Sequence, residues 1–368
     1  MKKVLYCIIV MLFLSAVAGC SFLAEIYDYS KSRGTQPPPA EDGEPPESGE
    51  PGTATTPGQP VPGGPGGPDG DGITNISDRP GQEFRAVWVA TLINLDFPSV
   101  QNLSAAAMRR EIDAIVASTA SMGLTAIILQ VRPAGDAFYE SGIFPWSMWL
   151  TGVQGRGIPG FDPLAYWIES CHAAGLELHA WLNPYRIIHT SLNSSDPETL
   201  APGHPVRRNP GLAVGWKASN GNSGLFLDPG LPESRRLIYD GVTEIIKKYD
   251  VDGIHIDDYF YPGADFDDSA SFALYGDGAP LADWRRENVN KLVKGIQEVI
   301  WKLNLELDKN VRWGISPTAI WKNSSSDPLG VPTTRGQESY HALCGYAPLG
   351  HGKVGRLYLP ADILVHWL

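Results

Sequence analysis

Cysteine is scarce in this chain: its 368 residues include only Cys7, Cys20, Cys171 and Cys344. A small disulfide-stapled domain needs a denser set, and a zinc site needs cysteines or histidines a few residues apart. Neither pattern is present in the sequence. It therefore predicts no disulfide framework and no zinc site.

Positive charge is also in deficit, with 29 lysines and arginines against 41 aspartates and glutamates and a net charge of −12. Proteins that bind nucleic acid carry basic patches that neutralise phosphates. The charge balance therefore argues against nucleic acid as a partner and leaves neutral ligands open. No Gly-rich phosphate-binding fingerprint follows the first predicted strand, and no cofactor is expected.

Large apolar side chains are nearly absent from residues 34–82, which begin "GTQPPPAEDGEPPESGEPG". Such a stretch cannot bury enough surface to offset its chain entropy. We therefore expect a flexible tether over residues 21–82, whose role is to give reach to the domain that follows.

The first twenty residues, "MKKVLYCIIVMLFLSAVAGC", place two lysines before an apolar run that is short for a membrane span. This pattern predicts a signal peptide. Its end, "AVAGC", resembles a bacterial lipobox, in which Cys20 becomes the lipidated first residue after cleavage. The alternative is an ordinary secretory signal with an incidental cysteine. The lipobox predicts an extracytoplasmic protein that is anchored to the membrane by lipid rather than spanning it.

From residue 84 the chain alternates strand-like and helix-like segments, which predicts repeated βα units and a parallel sheet. The strand-like runs are 84–91, 125–131, 176–182, 252–258 and 311–317, and the helix-like segments lie near 103–122, 162–174, 233–249 and 284–304. Long strand-to-helix links and short helix-to-strand links are typical of a (β/α)8 barrel. About five of eight units are visible, so the predicted barrel, residues 83–344, is incomplete. A doubly wound open sheet is the alternative.

Polar residues gather on one face near the ends of three predicted strands. Strand alternation places these residues on that face: Gln130 and Arg132 in the second strand, Glu177, His179, Trp181 and Asn183 in the third, and His255 and Asp257 in the fourth. A purely structural barrel interior would favour branched apolar side chains there. The pattern therefore predicts a functional site at the carboxyl ends of the strands.

Two adjacent carboxylates end the fourth strand in "VDGIHIDDYFYP". Glycoside hydrolysis needs two carboxyl groups, one protonated and one ionised. Asp257 is in the inward class, and we predict that it is the nucleophile or the transition-state stabiliser. We expect Asp258 to point outward, to Arg186 or a backbone amide. It is the second catalytic candidate if it also faces inward, because like-charge repulsion would then raise one pKa and make that carboxyl group an acid. The alternative is that the pair only caps the following loop or binds an arginine.

Hydrogen-bonding side chains of the kind that read sugar hydroxyls surround these carboxylates. The predicted substrate-binding residues are Gln130, Arg132, Asp136, His179, Trp181, Asn183, Tyr185, Arg186, His255 and Tyr259, and the candidate stacking platforms are Trp146, Trp149, Trp181 and Trp321. The two histidines do not have metal-ligand spacing, and we expect them to be hydrogen-bonding residues. The acidic run 265–278 lacks the terminal glutamate of a calcium loop, so a solvated loop is expected.

Five motifs, taken in order, resemble the glycosyl-hydrolase-like family 10 domain of bacterial lipoproteins. They are "FRAVWVATLINLDFPS", "QVRPAGDAFYESGIFPWSMWLTG", "HAWLNPYR", "DGIHIDDYFYP" and "WGISPTAIWKN". The resemblance covers residues 84 to about 343 and implies a (β/α)8 hydrolase that acts on the glycan strands of peptidoglycan, with Asp257 carried over as a catalytic residue. It does not settle the second carboxylate, for which Asp136, Glu140 and Glu338 are available.

The last 24 residues, 345–368, depart from the family, which continues with a helix and a sixth strand. Suitable codons let a shifted frame from Cys344 spell a family-like continuation. Our hypothesis is that a frameshift truncates the chain there; gene sequencing tests it, and a genuine divergent C-terminus is the alternative. The expected protein is a monomeric, lipid-anchored glycoside hydrolase. The alternatives are a sugar-binding lipoprotein without turnover and an inactive truncated product.

Overall fold

The computed structural model describes residues 83–316. Several predictions lie outside these residues: the signal peptide, the lipidation of Cys20, the tether, Trp321, Glu338 and the tail from 345.

A five-stranded parallel sheet forms the centre of the domain. Its strands are β1 (Ala86–Val89), β2 (Ala126–Arg132), β3 (Glu177–Leu182), β7 (Gly253–Ile256) and β8 (Arg312–Ile315), which lie side by side in that order. Each neighbouring pair is parallel. All five strands predicted from the sequence are confirmed.

Helices lie in the links between these strands. They are α1 (Ala105–Ser121), α2 (Met148–Thr151), α3 (Pro163–Ala173), α4 (Pro205–Arg208), α5 (Pro232–Lys248), α6 (Ser269–Tyr275) and α7 (Leu281–Leu307). The sequence marks some of their starts: Ser104 caps α1 by accepting from the Ala107 amide at 3.2 Å, and Asp162 caps α3 before a proline. The four long helices predicted from periodicity are confirmed.

The outward face of the sheet is apolar and packs under the helices. Leu178, Ala180 and Leu182 of β3 are fully buried in the core, as are Ile254 and Ile256 of β7. Alternation along a strand sends the residues between them to the inward face. The predicted division of β3 into an apolar outer face and a polar inner face is confirmed.

The sheet is strongly curled. The indole of Trp88 on β1 contacts the His255 ring on β7 with 4.8 Å between ring centroids, although β2 and β3 lie between these strands in the sheet. Three strand spacings in a flat sheet would separate them by about 14 Å. Sequential strand order and a curled sheet are the geometry of a partial (β/α)8 barrel, and they exclude the doubly wound alternative, in which the strand order reverses.

The long link between β3 and α5 carries a second, antiparallel sheet that the sequence analysis did not predict. It consists of β4 (Arg186–Ile188), β5 (Ala213–Lys217) and β6 (Ser223–Leu227), with β6 in the middle. Its strands are only three to five residues long, too short for a clear alternating pattern.

Along residues 83–316 there is no helix long and apolar enough to cross a membrane.

Candidate active site

Asp257 follows directly on β7 and continues its inward alternation. Its amide donates to the Leu182 carbonyl at 3.2 Å, which extends the pairing between β7 and β3 by one residue. Gly253 and His255, which precede it on the same face, pack against the His179 ring and the Trp88 ring. The Asp257 side chain is partly exposed. It therefore lies at the carboxyl ends of the barrel strands, where β/α-barrel enzymes hold their active sites.

Burial, and after it the neighbouring Asp258 carboxylate, raise the pKa of the Asp257 carboxyl to about 6. The Asp258 amide, which donates to Asp257 Oδ1 at 2.8 Å, and the Arg186 guanidinium act in the opposite direction. A carboxyl group with this pKa exchanges its proton close to neutral pH. Such a group suits acid–base or nucleophilic chemistry better than a structural ion pair does.

Asp258 turns away from its neighbour. Its backbone has φ of 50°, a left-handed conformation that asparagine and aspartate tolerate better than most residues. Its carboxylate forms an ion pair with Arg186, and the other guanidinium nitrogen of Arg186 donates to the Pro133 carbonyl at 2.9 Å. The outward orientation towards Arg186 that the sequence predicted is confirmed. Arg186 thereby holds the Asp258 carboxylate rather than presenting a free guanidinium to a ligand.

Gln130 and Asn183 lie one strand apart and bond to each other. Gln130 Oε1 accepts from the Thr91 and Leu92 amides, both at 2.9 Å, and Gln130 Nε2 donates to Asn183 Oδ1 at 2.5 Å. Asn183 Nδ2 donates to the Asp257 carbonyl at 3.2 Å. Both side chains were predicted to bind substrate, and the structure shows them committed to protein partners. Thr91, which the sequence analysis did not single out, belongs to this group.

Arg132 was predicted to share the inward face with Gln130, and this is wrong. A β-bulge between the two residues shifts the register against β3, so that Arg132 pairs with the outward-facing Leu182. The guanidinium stacks on the Phe144 ring at 3.7 Å and lies against Gly241 of α5. Burial lowers the pKa of Arg132. Arg132 is therefore on the helix side of the sheet, away from Asp257.

His179 is on the inward face but at the wrong end of the barrel for the predicted role. It pairs with the first residue of β7, and its Nε2 lies 3.1 Å from a carboxylate oxygen of Glu177 at the start of β3. The Arg312 guanidinium, at the start of β8, forms an ion pair with the same oxygen at 3.1 Å. The polar cluster of Glu177, His179 and Arg312 thus lies towards the amino ends of the strands, where polar contacts serve stability.

Trp181 and His255 fill the interior layer beneath the strand ends. They pair in register across β3 and β7, and each meets the Trp88 ring edge-on. Burial lowers the pKa of His255 to about 3, so the ring is neutral, and its Nε2 lies 2.8 Å from the Ser316 hydroxyl. Both side chains are almost entirely buried. The structure places them below Asp257 as packing for the inner face.

Tyr185 and Tyr259 are also buried, with 1% and 3% of their surface exposed. Burial raises the pKa of Tyr185 well above its ordinary value, and its hydroxyl interacts electrostatically with Tyr261 and Arg235. Tyr259 packs on Phe260. In this arrangement neither ring is available for the predicted contact with a sugar.

The two described candidates for the second carboxylate are held elsewhere. Asp136 lies 1% exposed under α2, where Oδ2 accepts from the Met148 amide and from Gln154; burial raises its pKa to about 6. Glu140 is exposed, and its carbonyl accepts from Lys248 in the last turn of α5, the helix that leads into the start of β7. Neither carboxylate is presented at the end of β7.

The predicted solvated loop of residues 265–278 is partly wrong. Ser269–Tyr275 form α6, and Asp268 is buried in an ion pair with Arg285 of α7. Asp265 accepts from the Trp216 indole at 2.8 Å. Among the residues that the structure describes, no group of three acidic, histidine or cysteine side chains could hold a metal ion.

Trp146, a candidate platform, lines a groove of about 600 Å³ together with Phe144, Arg156 and Pro202. One face of its indole packs on Gly157, where an added Cβ would lie 2.6 Å from the ring. Trp149, the other described platform candidate outside the strands, is half-buried and accepts from Asn94 through its carbonyl. The groove is formed by the links that follow β2 and β3.

A curled parallel sheet with sequential strand order defines the β/α-barrel class of domains. In this domain, a carboxyl group of raised pKa lies at the carboxyl end of the fourth strand. The chain belongs to the glycosyl hydrolase-like 10 family, whose model matches residues 83–340.

Among its relatives is the glycosyl hydrolase YngK of Bacillus subtilis (strain 168), 43% identical over 281 residues, which cover 75% of this chain and 52% of the relative. Another is the glycosyl hydrolase DigH of Escherichia coli (strain K12), 34% identical over 286 residues, covering 72% of this chain and 61% of the relative. The chain thus spans between half and two thirds of the length of these proteins. A solved structure, the PgaB (BpsB) glycoside hydrolase domain from Bordetella bronchiseptica, matches with a TM-score of 0.44 at 16% identity over 68% of each chain.

Proposed function

We propose that this protein is a lipid-anchored, extracytoplasmic glycoside hydrolase that cleaves glycosidic bonds in cell-wall polysaccharide, the glycan strands of peptidoglycan. The observation that carries the proposal is Asp257: a partly exposed carboxyl group at the carboxyl end of β7, with its pKa raised to about 6. Membership of a glycosyl-hydrolase-like family supports it. The lipid anchor rests on the "AVAGC" pattern at Cys20.

In this proposal Asp257 acts through its ionised form. The transition state of glycoside hydrolysis carries positive charge on the ring oxygen and the anomeric carbon, and a nearby carboxylate stabilises that charge or forms the glycosyl intermediate. Low exposure strengthens the interaction because water screens it less. The ionised fraction of Asp257 increases as the pH rises through about 6.

A second carboxyl group must protonate the leaving oxygen. Asp258 is held by Arg186, Asp136 lies under α2 and Glu140 lies beside α5. We therefore propose Glu338, the remaining one of the three candidates named from the sequence, as the acid.

Digestion of purified glycan strands by the full chain tests the proposal, with products identified by mass. We expect Asp257→Asn to lower the cleavage rate by roughly a thousandfold or more and to leave binding of the strands within about threefold. The matched control is Asp258→Asn, which changes the adjacent carboxylate in the same way. Cleavage that is unchanged in Asp257→Asn would contradict the assignment, and binding without any cleavage by the wild-type chain would favour a sugar-binding lipoprotein.

A further inference from the structure

Two side-chain amides at the carboxyl ends of β2 and β3 form a directed chain of hydrogen bonds that ends on the backbone of Asp257. We infer that Gln130 and Asn183 are positioning residues, which fix the strand end from which the Asp257 carboxyl group projects. The inference rests on the proposed function, since it takes Asp257 as the reacting group.

Two backbone amides at the end of β1 set the direction of this series of hydrogen bonds. Gln130 Oε1 accepts from two backbone amides, those of Thr91 and Leu92, each at 2.9 Å, so only its NH2 group can face Asn183. Gln130 Nε2 donates to Asn183 Oδ1 at 2.5 Å, and Asn183 must then turn its own NH2 group towards Asp257. Asn183 Nδ2 donates to the Asp257 carbonyl at 3.2 Å. The orientation of the Gln130 amide thus determines the orientation of the Asn183 amide.

Burial makes this arrangement rigid. Thr91, Gln130 and Asn183 are at most 2% exposed, and the Thr91 hydroxyl also donates to the Gln130 carbonyl at 2.8 Å. A buried amide that loses its partner destabilises the fold, because water cannot replace the lost bond. Rotation of either amide is therefore disfavoured.

The bonds connect the ends of four strands, β1, β2, β3 and β7. Adjacent strands are already joined by their ladders, but β7 ends at Ile256, and Asp257 lies one residue beyond it. Its backbone is held by two bonds from the β3 side, its own amide to the Leu182 carbonyl and the Asn183 amide to its carbonyl. Removing the second bond frees the turn that carries the carboxyl group.

Gln130→Glu tests the direction of these hydrogen bonds with little change in the shape of the side chain. One carboxylate oxygen can still accept from Thr91 and Leu92, but the other places an acceptor against Asn183 Oδ1. Asn183 must then rotate its NH2 group towards residue 130, which leaves the Asp257 carbonyl without its donor. Asn183→Ala removes the same donor directly.

Asn288→Ala is the matched control. Asn288 is 2% exposed, like Asn183, and bonds to the Tyr261 hydroxyl and to Arg235, both at 3.3 Å. Its loss costs stability through a similar unpaired buried group but does not touch the turn at Asp257. A general loss of stability would therefore appear in all three variants.

The first readout is kinetic, on glycan strands with the full chain. We expect Gln130→Glu and Asn183→Ala to lower kcat by roughly ten- to a hundredfold with KM within about threefold, and Asn288→Ala to leave kcat unchanged. Equal effects in all three variants would overturn the inference, and so would a rise in KM alone, which would indicate direct contact with substrate.

The second readout does not require activity. Titration of the Asp257 carboxyl group by NMR, its signal identified by its loss in Asp257→Asn, follows the group itself. We expect its pKa to fall by roughly half a unit or more in Asn183→Ala, which adds no charge, since a freed turn is better hydrated, and not in Asn288→Ala. An unchanged pKa in Asn183→Ala would overturn the positioning role. If the wild-type chain cleaves no glycan, the proposed function fails, while this titration still decides the inference.

Discussion

Asp257 and Asp258 are neighbours in the chain, yet the fold gives them different surroundings. Asp258 turns outward in a left-handed conformation and pairs with Arg186, whereas Asp257 remains on the inner face without an arginine partner of its own. Burial and the neighbouring Asp258 carboxylate outweigh the groups that lower the pKa of Asp257 and raise it to about 6. The ion pair with Arg186 therefore gives Asp258 surroundings that differ from those of Asp257, although the two side chains are chemically identical.

The raised pKa of Asp257 lowers the free energy of unfolding at high pH. The folded chain binds the proton more tightly than the unfolded chain, whose aspartates titrate near 3.8, so the free energy of unfolding falls as the pH rises from about 4 through about 6. We expect Asp257→Asn to raise the free energy of unfolding at pH 8 by up to about 2 kcal/mol and to leave it unchanged below pH 4.

Urea denaturation of wild type and Asp257→Asn at the two pH values checks this. Asp258→Asn, which loses an ion pair instead, should not be stabilised at pH 8. A gain in Asp257→Asn that is the same at both pH values would show that burial of the charge is not its cause.

At the scale of single elements, β2 shows how one irregularity reassigns a side chain. Alternation along a regular strand puts Gln130 and Arg132 on one face, but the bulge between them sends Arg132 to the helix side, where it meets Phe144 and Gly241. A bulge is set by the fit of neighbouring strands and has no reliable sequence signature. Strand alternation therefore predicts the direction of the β3 side chains correctly and that of Arg132, the last residue of β2, incorrectly.

The start of β7 depends on a glycine for its fit against β3. A Cβ on Gly253 would overlap the His179 ring, which is held between Phe84 and the Glu177 carboxylate. We expect Gly253→Ala to destabilise the domain by about 1–3 kcal/mol through overpacking. Gly203→Ala is the control, since a Cβ there would meet nothing within 4 Å.

Chemical denaturation of the two glycine variants measures the difference. A cost for Gly253→Ala no larger than that of Gly203→Ala would mean that the His179 ring can move aside, and that the close packing of β3 on β7 is not required.

At the scale of the whole molecule, the sheet curls until β1 and β7 side chains touch at the Trp88–His255 contact. This curvature brings the strand ends together and lets Thr91, Gln130, Asn183 and Asp257 form one connected group. In the described part of the chain, β1 and β8 are the two edges of the sheet.

The proposed lipid anchor is a prediction about the whole molecule. We expect Cys20→Ser to move the protein from the membrane fraction to the soluble extracytoplasmic fraction and to abolish incorporation of labelled palmitate, because the lipid chains supply the membrane affinity. Cys7→Ser, within the same segment, is the control and should remain lipidated. Membrane attachment that is unaffected in Cys20→Ser would leave the lipobox interpretation without support.

Hydrophobic periodicity and loop length were enough to predict the five parallel strands, the four long helices and the inward position of Asp257, because these patterns are local in the sequence. The partners of the polar residues depend instead on how the chain folds. Arg132, His179, Tyr185 and the two amides Gln130 and Asn183 were all predicted to contact sugar, and each is engaged or buried by groups far away in the sequence. A side chain's type says what bonds it can form; the partner that takes them is fixed only when the curled sheet brings distant segments within hydrogen-bond distance.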